Sequence, residues 1–117
     1  MSTGAKISDL FLQAQRVGVK VDRPDEAFAY LLRFPDMIEV VERAVLAARN
    51  HLNEAQLQLE VYRDPEAEDE HLVIYARFPE YNGTEIERIR AAKKEFLHML
   101  HGRSGWLSLT TDFKWPA

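Results

Sequence analysis

Cysteine is absent from the 117 residues, which removes thiol nucleophiles, disulfides and Cys-ligated zinc or iron–sulfur sites together. Long apolar runs are also missing, and nothing approaches the roughly 20 residues of a membrane helix. The opening Met1-Ser2-Thr3-Gly4-Ala5-Lys6 runs into Ser8, Asp9, Gln13 and Gln15 without the apolar centre of a signal peptide. The expectation is a cytoplasmic protein. Glycine and proline number five each and stand singly, so there is neither a phosphate-cradling glycine loop nor a low-complexity tract. H-E-x-x-H and G-x-S-x-G do not occur, and Ser2, Ser8, Ser104 and Ser108 sit in no recognisable nucleophile setting. Positive charge is in deficit, 15 Lys and Arg against 19 Asp and Glu, and the net charge of −4 opposes nucleic-acid binding by the chain as a whole.

What is present suits one globular domain over residues 1–117. The apolar fraction is 46% and the aromatic fraction 10%, enough for a chain of this length to bury its own core. The length leaves no room for a dinucleotide-binding domain beside a second lobe, and no cofactor is implied.

The first part, residues 1–54, reads as three helices. Ile7, Leu10, Phe11, Ala14 and Val17 recur at helical spacing before Gly18. Pro24 opens a second helix through Phe28, Leu31 and Leu32, which Pro35 ends. Asp36 and Glu39 form a capping box for a third helix through Val41, Val45, Ala48 and Leu52. Residues 55–117 change period. Leu57, Leu59 and Val61 alternate with polar residues, as do Leu72, Ile74, Ala76 and Phe78, and both runs read as strands. Thr84 and Glu87 cap a helix that Gly102 closes, and Trp106–Thr111 is a last strand. The predicted fold is α+β, three helices followed by a β-β-α-β unit with a small three-stranded antiparallel sheet. Crossover handedness favours spatial order 2-1-3 for these strands and leaves 1-2-3 open.

Charge is unevenly spread: residues 1–56 balance at −1, residues 57–82 at −5 and residues 83–117 at +2. The acidity gathers in Asp64, Glu66, Glu68, Asp69 and Glu70, a loop whose carboxylates repel one another and stay solvated unless a basic surface meets them. Two readings stand: a soluble tip that discourages edge-to-edge sheet pairing, and a docking element for a basic protein. A divalent cation fits less well, because no calcium-loop spacing is present and Pro65 restricts the backbone. The run Leu59-Glu60-Val61-Tyr62-Arg63-Asp64-Pro65-Glu66, with Asp69-Glu70 leading into Leu72 and Val73, resembles a hairpin in a group of small uncharacterised bacterial proteins. A capped helix like Asp36–Leu52 comes just before it there. The resemblance implies a bacterial cytoplasmic origin and carries no activity.

On the last helix Arg90, Lys94, His98 and His101 share one edge, a basic stripe suited to an acidic partner. His98 and His101, with Glu95 one turn earlier, also have the spacing of a metal pair; the competing reading is histidines complementing the helix C-terminus. Lys93 falls on the apolar edge, where it either snorkels, pairs with a carboxylate such as Glu60, or is a functional lysine. Tyr62, Tyr75, Tyr81, Trp106 and Trp115 lie on or near strands, on a face expected to be covered by the helices or a second subunit. The function these features suggest is a non-enzymatic interaction or accessory module binding a protein partner or a second copy of itself, with no nucleic acid and no membrane. Its partner-binding residues are Asp64, Glu66, Glu68, Asp69, Glu70, Arg90 and Lys94. The alternative is a small enzyme or metal protein using His98 and His101.

Overall fold

Alternation places Leu57 and Leu59 on one side of β2 (Gln56–Asp64), and Leu72, Ile74 and Ala76 on the same side of β3 (Asp69–Arg77). In the computed structural model, which describes residues 2–117, these strands pair antiparallel with Leu59 opposite Ile74. A short β1 (Val19–Val21) lies parallel to β2, and β4 (Leu107–Thr110) lies parallel to β3. The sheet therefore has four strands in the order β1-β2-β3-β4 and is mixed. Four helices, α1 (Thr3–Arg16), α2 (Pro24–Arg33), α3 (Ile38–His51) and α4 (Glu85–Lys93), all send buried residues into one cluster with Leu57, Leu59, Ile74, Leu107 and Leu109. That makes a two-layer α+β fold with helices on one side of the sheet.

The three-stranded antiparallel sheet is thus corrected. Val19-Lys20-Val21 is too short to show a period, and it falls inside the part read as helical. Gly18 does end α1, at φ +79°, and turns the chain straight into β1. The favoured order 2-1-3 is also overturned, in favour of 1-2-3. Crossover handedness limits the hand of β3-α4-β4 but not its neighbour, and adjacency lets Leu107 and Leu109 pack beside Leu72 and Ile74.

Neither capping box forms. Asp36 lies in a 3-10 turn, Pro35–Met37, and accepts hydrogen bonds from the Ser104 backbone N–H (2.8 Å) and Oγ (2.5 Å), while Arg103 Nη1 donates to the Asp36 carbonyl (2.9 Å). A charged acceptor does better with two donors than with one cap, and the result fastens α3 to the chain entering β4. These donors hold the Asp36 carboxyl below its usual range. At the start of α4 the side chain of Thr84 donates to Asn82 Oδ1 (2.7 Å), and the buried Glu85 carboxylate takes the N–H groups of Asn82 and Gly83. Burial alone would raise the Glu85 carboxyl; those N–H groups outweigh it and hold the group low.

Gly105 is required by close approach, since a Cβ there would sit 2.6 Å from Tyr30 Oη. That phenol accepts the Trp106 N–H at 3.1 Å, a second tie between α2 and β4.

Arg49 near the end of α3 joins the two outer turns. Its Nε donates to the Val17 carbonyl (2.7 Å) and Nη2 to Gly18 (3.2 Å), while Nη1 reaches the carbonyls of Leu52 (3.3 Å), Asn53 (3.0 Å) and Ala55 (3.1 Å). Arg49→Met is expected to lower the unfolding free energy by about 3 kcal/mol, since charged hydrogen bonds contribute roughly 1.5–3 kcal/mol each where the partners stay buried. Arg49→Lys should recover less than half of that, having no planar fork. Urea unfolding followed by far-ultraviolet circular dichroism checks both; an Arg49→Met protein as stable as the parent would refute this role.

Candidate interaction surface

Past Val61 and Leu72 the two central strands outrun β1 and β4 and project as an arm, with Tyr62 opposite His71, Arg63 opposite Glu70 and Asp64 opposite Asp69. The base of the arm is strapped to α2. Arg63 Nε donates to Glu70 (2.8 Å) and its Nη1 to Glu26, while Arg33 Nη1 reaches Glu70 from the other side (3.0 Å). Glu70, expected to face a partner, is therefore neutralised within the chain. Asp64 Oδ1 accepts the Glu66 N–H (2.9 Å), folding the tip, and Asp69 pairs with His71 (3.3 Å). Among the described residues Asp64, Glu66 and Glu68 take part in no ion pair, so the negative charge left for an outside partner is at the tip.

The face of the sheet turned away from the helices continues from this arm. Register puts Gln58 opposite Tyr75, Glu60 opposite Val73, and Tyr62 opposite His71, with Ser108 and Thr110 beside Val73 and Tyr75. The Tyr62 and His71 rings lie 5.1 Å apart. Trp106 falls on this side by alternation with Leu107 and is half exposed. Val73 is only 2% exposed yet lies outside the main core cluster, because neighbouring side chains screen it on a face no helix covers. The expectation that the helices cover the aromatic face is corrected: the helices take the leucine face, which has the larger aliphatic area to bury. Tyr81 and Trp115 lie outside the paired strands. They pack together with Phe113 in the C-terminal tail, at 5.5 and 5.6 Å between ring centres.

Glu60 occupies the centre of the open face. The Asp22 N–H donates to the Leu59 carbonyl (2.8 Å), extending the β1–β2 register so that Asp22 lies beside Glu60. Neither carboxyl has an ion-pair partner within the described residues. Desolvation, then the charge of Asp22 and a hydrogen bond with it, push the Glu60 carboxyl above its usual range. Desolvation and the Glu60 charge do the same to the Tyr75 phenol. At the far end Arg77 and Asp112 satisfy one another through a forked contact (2.9 and 3.2 Å), which holds the Asp112 carboxyl low.

The basic stripe on the last helix is broken. The α-helix stops at Lys93, and a 3-10 turn follows at Leu97–Leu100. This break buries both Phe96 and Leu100 and turns Glu95 toward His51 (2.5 Å) and Arg43 (3.2 Å). Glu95 is thereby removed from His98 and His101, both exposed, and no group of three or more His, Cys, Asp or Glu among the described residues is placed to hold a metal ion. Arg90 and Lys94 are exposed, and Lys93 is half-buried beside Ile86, Ile89 and Leu109. Glu60, on the other side of the sheet, is no partner for Lys93.

No protein-family model, curated protein or solved structure matches this chain. Its chemistry is read from its own geometry. The sequence does not mark Asp22, because only the register of β1 brings it to Glu60, nor Arg49, because nothing in a helical pattern marks a guanidinium that serves carbonyls.

The raised Glu60 carboxyl sets a sign. The folded state favours its protonated form, so ionisation costs stability as pH rises through the carboxylate range and past the folded value. Glu60→Gln should be more stable than the parent at pH 7, by roughly 0.5 kcal/mol as for like charges paired across strands. The difference should close at pH below the usual carboxylate range. Urea unfolding across pH tests this, and a variant less stable at pH 7 would contradict it.

Proposed function

We propose that this protein is a non-enzymatic interaction module that takes a basic segment of a partner protein on its open sheet face, with the acidic arm guiding the approach. The observation that carries this reading is that all four helices pack on one side of the sheet. The other side keeps Tyr62, Tyr75 and Trp106 around the Asp22–Glu60 pair, continuous with the tip carboxylates. Rigid aromatic side chains supply contact area at low entropic cost and attract guanidinium and ammonium groups. Two carboxyls side by side without a cation gain when one arrives. Charge at a projecting tip raises the encounter rate more than the final affinity. The exposure of His98 and His101 and the departure of Glu95 weigh against the catalytic or metal alternative on the last helix.

Tryptophan fluorescence during titration with a twelve-residue Arg- and Lys-rich peptide tests the proposal. Saturable binding is expected, weakening about tenfold between 50 and 300 mM salt as screening shortens the reach of the tip charges. Trp106→Ala and Glu60→Gln should each weaken it at least fivefold, and an acidic peptide of equal length should not bind. Equal affinity for the two peptides, or an undiminished affinity in both variants, would overturn the reading.

A further inference from the structure

A second surface, on the helical side, has the opposite sign. Between α4 and β4 runs a groove of about 210 Å³, with Ile86, Ile89 and Leu109 as its apolar floor and Arg90, Lys93 and Thr110 on its rim. Ile86 is 44% exposed there. Arg90, Lys93 and the adjacent Lys94 form no ion pair among the described residues, whereas Arg33, Arg63, Arg77, Arg88 and Arg103 all do. Three cations without a carboxylate are thus gathered along or beside this groove, whereas Lys6, Arg16, Lys20 and Lys114, also in no ion pair among the described residues, stand apart in the chain. At the arm tip the same chain carries Asp64, Glu66 and Glu68 in no ion pair, interleaved with the exposed Pro65 and Ala67. Carboxylates alternating with small apolar residues match a groove whose floor is apolar and whose rim is cationic.

We infer that the arm tip of one chain seats in the α4–β4 groove of a second copy, carboxylates on Arg90, Lys93 and Lys94, Pro65 and Ala67 over Ile86 and Ile89. The contact cannot form within one chain. Leu109 pairs with Ile74, and the extended run of β3 from Asp69 to Ile74 holds the tip about 17 Å away. The Glu26–Arg63–Glu70–Arg33 strap further fixes the arm against α2. Made reciprocally, the contact is isologous and closes as a two-fold dimer with two copies of the tip–groove pairing. Exposed ion pairs contribute little each, so the dimer is weak and strongly dependent on salt. This contact does not need the basic partner: its failure would leave the peptide titration untouched.

Sedimentation equilibrium on the full chain tests it, with Glu66→Lys/Glu68→Lys reversing the tip and Arg90→Glu/Lys94→Glu reversing the groove. All four positions are exposed, and circular dichroism verifies that each variant is folded. At about 20 mM salt the parent should climb toward twice its monomer mass as concentration rises to roughly 200 µM, and fall back at about 500 mM salt. Each variant alone should stay monomeric, one having two basic surfaces and the other two acidic ones. Their equimolar mixture should dimerise, because the reversed tip of one variant then meets the reversed groove of the other, while the second contact pairs an unaltered acidic tip with an unaltered basic groove. A monomeric parent at low salt, variants that still dimerise alone, or a mixture that stays monomeric would each overturn the inference.

Discussion

One guanidinium holds the two outer turns of this fold in register. β1 and β2 are parallel neighbours, and parallel strands cannot be joined by a tight turn; here α2 and α3 intervene. Their pairing must be set by something that sees both strand starts at once. Arg49 does so, donating to Val17 and Gly18 just before β1 and to Leu52, Asn53 and Ala55 just before β2. The carbonyls at the ends of α1 and α3 would otherwise be left without intrahelical partners, and one planar group answers both helix ends. Everything on the open face inherits that register, because it is the placement of β1 that brings Asp22 beside Glu60.

The opposite edge is fixed differently. The chain entering β4 is held by Asp36 through Ser104, by Arg103 through the Asp36 carbonyl, and by Tyr30 through the Trp106 N–H. These are local polar ties on residues next to one another in the chain, so Trp106 is aimed at the open face by contacts made on the helical side. Glu95 plays a comparable part between α3 and α4, where it takes both Arg43 and His51. The two layers are thus apolar in the middle and pinned at their margins by charged groups accepting or donating several bonds each. Such groups pack well only when every lone pair and proton is used, and no buried side-chain polar atom among the described residues lacks a partner.

Period and punctuation made much of this legible from residues alone. The three N-terminal helices, the long hairpin and the helix before the last strand all follow from apolar spacing and from Pro24, Pro35 and Gly18. What could not be read was decided by distant partners. Asp36 has the spacing of a cap, but Ser104 offers it two donors from the other end of the chain. Thr84 has the same spacing, yet Glu85 rather than Glu87 captures the backbone N–H groups. The last helix looked continuous to Gly102 because Phe96 and Leu100 keep an apolar rhythm that a 3-10 turn serves equally well. Of the candidate residues, the tip carboxylates remain available while Glu70 does not, a distinction that turns on Arg33 and Arg63 reaching it from two elements. The open aromatic face was invisible for a related reason: alternation tells which residues share a side, not which side the helices choose.

The symmetry of the strand order has a kinetic meaning. The antiparallel hairpin of β2 and β3 closes over a short loop, whereas β1 and β4 join it only after α2 with α3, or α4, has bridged a long stretch of chain. Loop closure over such distances costs entropy before any contact rewards it. The hairpin is therefore the early structure on the folding route and both flanking strands are late additions. Arg49 then clasps a joint that closes late, and bonds made late in assembly act more on the opening of a native sheet than on its formation.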